Sequence, residues 1–239
     1  MDNQSKSSEG IRVAIRMRPL NEREVNSGQE KVFKCQTQYN AVTQIKDGQA
    51  VDGGTSYFDK VFDESARNTD VYDYVGKEIV QGVMGGINGT VFACKLFSFS
   101  QDMTFINKLY QFLDATTDGQ TSSGKTHTML GGGDEKGVLN LAAEAIFRYI
   151  ANTPTRDFLL RASFLEIYNE NLRDLLGENP DGTVQIREDP RRGVYCEATE
   201  VVITDFDSIV KLLKKGISRR VVEATAMNDT SSRSHTIFK

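Results

Sequence analysis

Ile11, Val13, Ile15 and Met17 alternate with Arg12, Ala14, Arg16 and Arg18. That period of two predicts a strand with one face on a core, ended by Pro19. Shorter strands are predicted over Ala41 to Ile45 and Tyr57 to Phe62, separated by turns at Asp47-Gly48 and Gly53-Gly54. The period then lengthens. Val71, Val75, Ile79 and Val83 recur every four residues and predict one helical stripe, stopped by Gly85-Gly86, with a short strand from Thr90 to Ala93 beyond it.

In the second half, His127 to Leu130 reads as a short helix, interrupted by Gly131-Gly132-Gly133. A longer helix follows from Val138, with Ala142, Ala145, Ile146, Tyr149 and Ile150 on one face and a stop near Pro154. Arg156 to Tyr168 is apolar enough for a strand buried on both faces, and Leu172 to Leu176 suggests a helical turn. Short strands and turns are expected from Asp181 to Ile203. Thr204-Asp205-Phe206-Asp207 resembles a capping box, with Thr204 at the N-cap, opening a helix whose apolar face is Ile209, Leu212, Leu213 and Ile217. Strands alternating with helices around a mixed sheet make the fold class α/β. No heptads or internal repeats interrupt the pattern.

Composition narrows the function classes. The 239 residues allow one large domain with a sizeable core, and 38% hydrophobic with 26% charged residues is ordinary globular usage. A net charge of −4 argues against a basic nucleic-acid binder. Cys35, Cys94 and Cys196 are scattered, without a CxxC pair, which fits a reducing compartment and offers neither a disulfide framework nor a zinc site. Residues Met1 to Gly10 are polar, read as a disordered tail, and lack the apolar core of a signal peptide. No apolar run approaches the roughly 18 residues of a membrane span. A cytosolic protein without membrane partners is expected.

The chemistry concentrates in two polar stretches. Gly119-Gln120-Thr121-Ser122-Ser123-Gly124-Lys125-Thr126 matches G-x-x-x-x-G-K-[ST] in full. Glycines let the backbone curl until successive N–H groups face one anion, the next helix adds its positive end, and Lys125 adds a mobile charge, while the Thr126 hydroxyl suits Mg²⁺. The competing reading is a Gly/Ser-rich surface loop. Upstream context is poor, since Asp114-Ala115-Thr116-Thr117-Asp118 is a weak version of the buried strand such a loop should leave. The second stretch, Asn228-Asp229-Thr230-Ser231-Ser232-Arg233-Ser234-His235, reads by itself as a solvated loop.

Taken together, Arg16 to Pro19 (RMRP), Asn88 to Ala93 (NGTVFA), Gly119 to Met129 (GQTSSGKTHTM), Glu166 to Glu170 (EIYNE) and Asn228 to His235 (NDTSSRSH) resemble the kinesin motor domain in order and spacing. The resemblance covers Ile11 to Phe238 apart from one internal segment. Asp189 to Tyr195 (DPRRGVY) and the RPLNERE start lean toward a centromere-associated type. It implies a P-loop NTPase-like fold, with a mixed central sheet and helices on both faces, and a microtubule-based motor that binds and hydrolyses MgATP. On this resemblance Gly119 to Thr126 cradle the phosphates, and Arg16, Arg18, Pro19 and His127 surround the adenine. Thr126 and Ser232 hold Mg²⁺. Lys125, Asn228, Ser231 and Ser232 form the catalytic set, with Asn228 and Ser231 organising the attacking water. Hydrolysis then proceeds by positioning and electrostatic stabilisation, and order in the serine-rich switch depends on the γ-phosphate. Read from the residues alone, Arg16 and Arg18 could equally be solvent-facing strand positions and His127 a helix-surface imidazole. The implied partners are microtubules, and the implied location is the cytoplasmic cytoskeleton.

Two departures limit the resemblance. Cys94 stands where the family commonly has Tyr, and Lys95 to Asp118 then intervenes before the phosphate loop, carrying Phe97, Phe99, Phe105 and Phe112. It is read as a looped-out excursion, a functional insertion, or translated intervening sequence. The last is favoured, because long insertions normally fall at exposed loop tips. The chain also ends at Lys239, inside the strand after the first switch. The family's second switch, Asp-x-x-Gly-x-Glu, is thus absent, and with it the Glu that pairs with the residue corresponding to Arg233. A partial motor domain with exposed sheet edges and poor stability is expected, the alternative function being a nucleotide-binding module that does not cycle. An unrelated P-loop phosphotransferase would leave the EIYNE and NDTSSRSH matches as coincidences.

Overall fold

The computed structural model describes residues 11–95, 103–107, 124–179, 182–191, 193–220 and 234–239. Strand β1 (Val13–Met17) starts later than the alternation predicts, leaving Ile11 exposed, and is covered on both faces rather than one. Ile15 and Met17 join Phe33, Val42 and Val61 in a small cluster, whereas Ala14 enters the main core. A period-two pattern hides this because Ala14 is small enough to sit under close-packed neighbours without adding to the apolar signal.

Helix α1 (Glu22–Asn26) leads into an antiparallel sheet of β2 (Phe33–Gln36), β3 (Ala41–Lys46) and β4 (Gln49–Tyr57). Asp47 and Gly48 make the predicted turn, both at positive φ (51° and 76°), as a two-residue hairpin requires. Gly53-Gly54 lies inside β4 instead of making a turn. Gly53 has φ 68°, and the β3–β4 register shifts between Thr43 and Ile45, so the extra length is absorbed as a bulge. Strand β5 (Lys60–Phe62) runs parallel to β1.

The predicted single helix is two, α2 (Asn68–Val75) and α3 (Lys77–Met84), meeting at Gly76. Backbone hydrogen bonds run through the junction, from Gly76 N to Tyr72 O and from Val80 N to Gly76 O. Val71, Val75 and Ile79 are buried, but Val83 is 43% exposed. A repeat of four advances about 40° per step on a 3.6-residue helix, so its third step leaves the buried stripe. Gly85-Gly86 ends α3 as expected, Gly86 at φ 92°.

Strand β6 (Phe92–Lys95) is followed by β7 (Met103–Asn107), which falls within the inserted segment. β7 pairs antiparallel with β1 on one side and β6 on the other, giving the order β5-β1-β7-β6. Part of the insertion is therefore a sheet strand rather than a loop.

Helix α4 (Lys125–Leu130) runs into the small hairpin of β8 (Gly131–Gly132) and β9 (Glu135–Lys136), then α5 (Val138–Ala151). Val138, Leu139 and Ala143 of α5 are buried. The apolar run ending at Tyr168 is divided into β10 (Leu160–Ala162) and β11 (Phe164–Tyr168), which belong to different sheets. The expected helical turn at Leu172 to Leu176 is largely strand β12 (Asn171–Asp174). Asn169 and Glu170 take φ of 46° and 63° and fold it back onto β11. β13 (Ile186–Asp189) and β14 (Gly193–Cys196) form a hairpin, and β15 (Val201–Ile203) pairs with β10. Asp205, not Thr204, caps α6 (Phe206–Ser218): its Oδ1 accepts from Ser208 N at 2.8 Å. A carboxylate one residue nearer the helix is the stronger acceptor for that amide. Strand β16 (Ser234–Phe238) completes the sheet β12-β11-β16. Residues from α2, α3, α4, α5 and α6 share one core with Ala14 and Phe164.

Candidate functional site

A cleft of about 820 Å³ opens where the end of β1, the stretch after it, the turn before α2, helix α4 and the β8–β9 hairpin meet. Arg16, Arg18, Pro19, Gly124 and His127, predicted from distant parts of the sequence, all line it.

Arg16 is a structural tie as well as a wall. Its guanidinium donates to Asn68 Oδ1, to Thr128 Oγ1 at 2.8 Å and to the Ala66 carbonyl at 2.9 Å. Burial lowers its pKa, opposed by the nearby carboxylates of Glu135 and Asp70. Arg16 is thus half-buried in the cleft wall and bonded to other elements, unlike a simple solvent-facing strand position. Asn68 is fully buried and also donates from Nδ2 to the His127 carbonyl at 2.9 Å, while its backbone N–H donates to Glu135 Oε1 at 2.6 Å. His127 Nε2 lies 3.4 Å from Glu135 Oε2, so the imidazole is aimed along the cleft edge by a carboxylate.

Arg18 grips Glu24 with both nitrogens, at 2.7 and 2.5 Å, and donates to the Pro19 carbonyl at 2.7 Å. Glu24 is itself buried and completes a capping box with Asn21: Glu24 N donates to Asn21 Oδ1 at 2.9 Å, and Asn21 N to Glu24 Oε2 at 2.7 Å. The hydrogen bond from Arg18 is the main reason the Glu24 carboxyl titrates below its ordinary value. Thus the short helix α1 fixes Arg18, whose carbons pass beside Gly124.

Gly124 precedes α4 with φ 80°, a left-handed conformation that favours glycine. A Cβ there would lie 3.6 Å from Arg18 Cδ, an ordinary contact, so backbone conformation rather than space demands the glycine. Lys125 is 8% exposed, Thr126 half-buried and His127 exposed. Thr128 Oγ1 donates back to the Gly124 carbonyl at 3.1 Å, tying the start of the helix to the Arg16 network.

Gly119, Gln120, Thr121, Ser122 and Ser123 lie outside the described residues, as do Asn228, Ser231, Ser232 and Arg233 and the expected tail before Ile11. Ser234 and His235 are described, in β16, where Ser234 is buried and donates to Glu166 Oε1 at 2.7 Å. The sequence reading missed Asn21 and Glu24, although Asn-x-x-Glu is a legible capping signal. Asn68 and Thr128 left no local signal, since they meet Arg16 across separations of 52 and 112 residues. Among the described residues no helix is long and apolar enough to cross a membrane, and no group of three or more His, Cys, Asp or Glu side chains is arranged to hold a metal.

Comparison with known proteins identifies the family. The family model "Kinesin motor domain" matches residues 16–94 and 115–239, breaking where the extra segment begins. "Kinesin-like protein KIF3C" of Mus musculus is 34% identical over 100% of this chain, which spans 28% of that relative. "Centromere-associated protein E" of Homo sapiens is 38% identical over 96% of the chain and 8% of the relative. "Kinesin-like protein KIN-7C, mitochondrial" of Arabidopsis thaliana is 38% identical over 98% and 23%. Among solved structures, "Structure of a fast kinesin: Implications for ATPase mechanism and interactions with microtubules" superposes with a TM-score of 0.72 at 31% identity, covering 94% of this chain and 57% of that one. The chain therefore spans a minor part of the curated relatives it matches. A family model that matches both stretches flanking the extra segment, relatives 34–38% identical along the chain and a shared fold carry one conclusion: this chain belongs to the kinesin motor domain family.

Proposed function

We propose that this chain contributes the nucleotide half of a microtubule motor: it binds MgATP in the Arg16–His127 cleft and, within a kinesin motor, supports ATP hydrolysis that alters microtubule affinity. The observation that carries the reading is convergence. Stretches around residues 16–21, 64–67 and 124–135 build one cleft, with Gly124 and buried Lys125 at the start of α4. The volume suits a nucleotide. Pro19 and Leu20 offer apolar surface for a base, and Lys125, which does not itself line the cleft but is buried at the start of α4 next to the lining residue Gly124, would offer charge for phosphate.

Mg²⁺ fits the donor set, because this ion keeps several waters and is held through few protein ligands together with substrate phosphate oxygens. Thr126 and Ser232 would supply the hydroxyls, and the bound ion would neutralise phosphate charge. Lys125 holds the β/γ-phosphate charge, Asn228 and Ser231 orient the attacking water, and Arg18 and His127 flank the base. None of these residues forms a covalent bond with the substrate. Catalysis is positioning and electrostatics. The fast-kinesin title, which names both ATPase mechanism and interactions with microtubules, supports a microtubule partner, and a cytoskeletal location follows from that partner.

Titration of a fluorescent ATP analogue into the chain and into Lys125→Ala tests the binding step. Saturable binding that is lost in the variant is expected; equal binding by both would refute the site. Microtubule-stimulated phosphate release by a motor domain containing this chain tests the motor step, and absence of stimulation would refute it.

A further inference from the structure

The β8–β9 hairpin supplies part of the cleft wall through Gly132, Asp134 and Glu135. Gly132 and Glu135 stand opposite one another across the ladder. Residues paired in this way direct their side chains to the same face of a hairpin. Gly132 has no side chain, and the imidazole of His127 takes up that space: a Cβ on Gly132 would lie 3.0 Å from His127 Cδ2. Glu135 Oε2 then lies 3.4 Å from His127 Nε2. The ring is therefore bounded by hairpin backbone along one edge and by a carboxylate at another, while the side chain stays 47% exposed and lines the cleft.

Glu135 is itself held at both its carboxylate and its backbone. Its Oε1 accepts from the N–H of Asn68, the first residue of α2, at 2.6 Å. A Cβ at Gly131 would lie 2.2 Å from the Glu135 carbonyl oxygen, and one at Gly137 would lie 2.4 Å from Gly131 N, so only glycines let the hairpin close this tightly. Asn68 Nδ2 meanwhile donates to the His127 carbonyl at 2.9 Å, which ties the main chain of His127 to the same place as its ring. A carboxylate anchored by one oxygen spends little further freedom in holding an imidazole with the other. Without it, a half-exposed ring on a six-residue helix would be ordered at the expense of the ligand that it flanks.

We infer that Glu135 is a positioning residue for the nucleotide base: it acts through His127, holding the ring against the Gly132 backbone so that its open side flanks the base. This role rests on the nucleotide reading above, because His127 flanks a base only where the cleft holds one. Two other effects of the same carboxylate are distinct from it. Its charge favours the cationic form of Arg16, and its bond to Asn68 N–H satisfies the start of α2. Neither of these passes through the imidazole, so removing the ring separates them from the positioning role.

ADP affinity and a melting curve for the unaltered chain, Glu135→Gln, His127→Ala and the double variant make the test. Glutamine keeps an oxygen for the Asn68 N–H and removes the charge beside the imidazole. His127→Ala is expected to weaken ADP about tenfold, as the loss of one base–aromatic contact implies, and Glu135→Gln about fivefold. The double variant should fall no more than about twofold below His127→Ala. An effect carried by Arg16 or α2 would survive without the ring. Hence an equal loss from Glu135→Gln in both backgrounds, or no loss in either, overturns the inference. Gly132→Ala approaches the ring from its other edge. Gly132 is exposed and is not at positive φ, so its backbone admits alanine, whose methyl presses on His127 Cδ2. It should weaken ADP about threefold only where His127 is present. Where Glu135→Gln does not fold, this second pair decides, and an equal effect in both backgrounds, or none, again overturns the inference. The two failures separate. If the unaltered chain binds ADP and the losses simply add, the positioning role alone is wrong. If the unaltered chain binds no ADP, the cleft assignment is wrong and this role falls with it.

Discussion

Replacing Gly216 by alanine probes the contact that seats α6, and its outcome follows from two opposing effects. A Cβ at position 216 would sit 2.0 Å from Phe164 Cδ1 and 2.4 Å from Cε1. Phe164 is fully buried and meets Phe238 edge-to-face with ring centroids 5.4 Å apart, so its ring has no free direction in which to retreat. Overpacking of this kind costs about 1–3 kcal/mol, and so close an approach belongs at the upper end. Against it, alanine is favoured over glycine in a helix interior by about 1 kcal/mol. The net expectation is a loss of about 2 kcal/mol, or about 4–8 °C in melting temperature for a chain of this size. Gly82 in α3 is the matched control. There a Cβ would meet only Ile87 Cβ, at 3.8 Å, and the helix term should dominate, raising stability by up to about 1 kcal/mol. Thermal or urea unfolding of Gly216→Ala and Gly82→Ala reads both signs. Equal shifts, or a Gly216→Ala chain as stable as the original, would refute the close seating of α6 on β11.

Further outcomes follow from the cleft. The Glu24 carboxyl is held below its ordinary value of 4.5 chiefly by the Arg18 hydrogen bond, so the folded chain holds that proton less readily than the unfolded chain. The stabilisation is complete above the ordinary range and disappears as pH falls through the depressed folded value. The stability difference between the original chain and Glu24→Gln should therefore be constant near neutrality and shrink in acid; a difference that widens as pH falls would contradict the pairing. Asn68→Ala strips a buried link from Arg16 and the His127 carbonyl and should cost about 1–3 kcal/mol in unfolding experiments, with weakened nucleotide binding. Unchanged stability would show that the Arg16 network does not need Asn68. Lys125→Ala should abolish nucleotide binding without a comparable loss of stability, checked by titration and melting of one preparation.

The sequence by itself determined the family, through five signatures in order, and the elements whose information is local. The Asp47-Gly48 turn, the Gly85-Gly86 stop and the period of α5 are all written within a few neighbouring residues. It also named five lining residues of the cleft, because RMRP and GKTH keep their chemistry in contiguous text. Tertiary structure decided what depends on partners far along the chain. Leu172 to Asp174 became strand because β11 was there to pair with it, and Met103–Asn107 entered the sheet because β1 and β6 offered two ladders. Arg16 became a half-buried tie rather than a solvent-facing strand position because Asn68 and Thr128 arrive from helices elsewhere in the chain. Glu166 gained its place for the same reason. A hydrogen bond requires two groups within about 3 Å, and only the folded chain brings residues 166, 173, 220 and 234 that close.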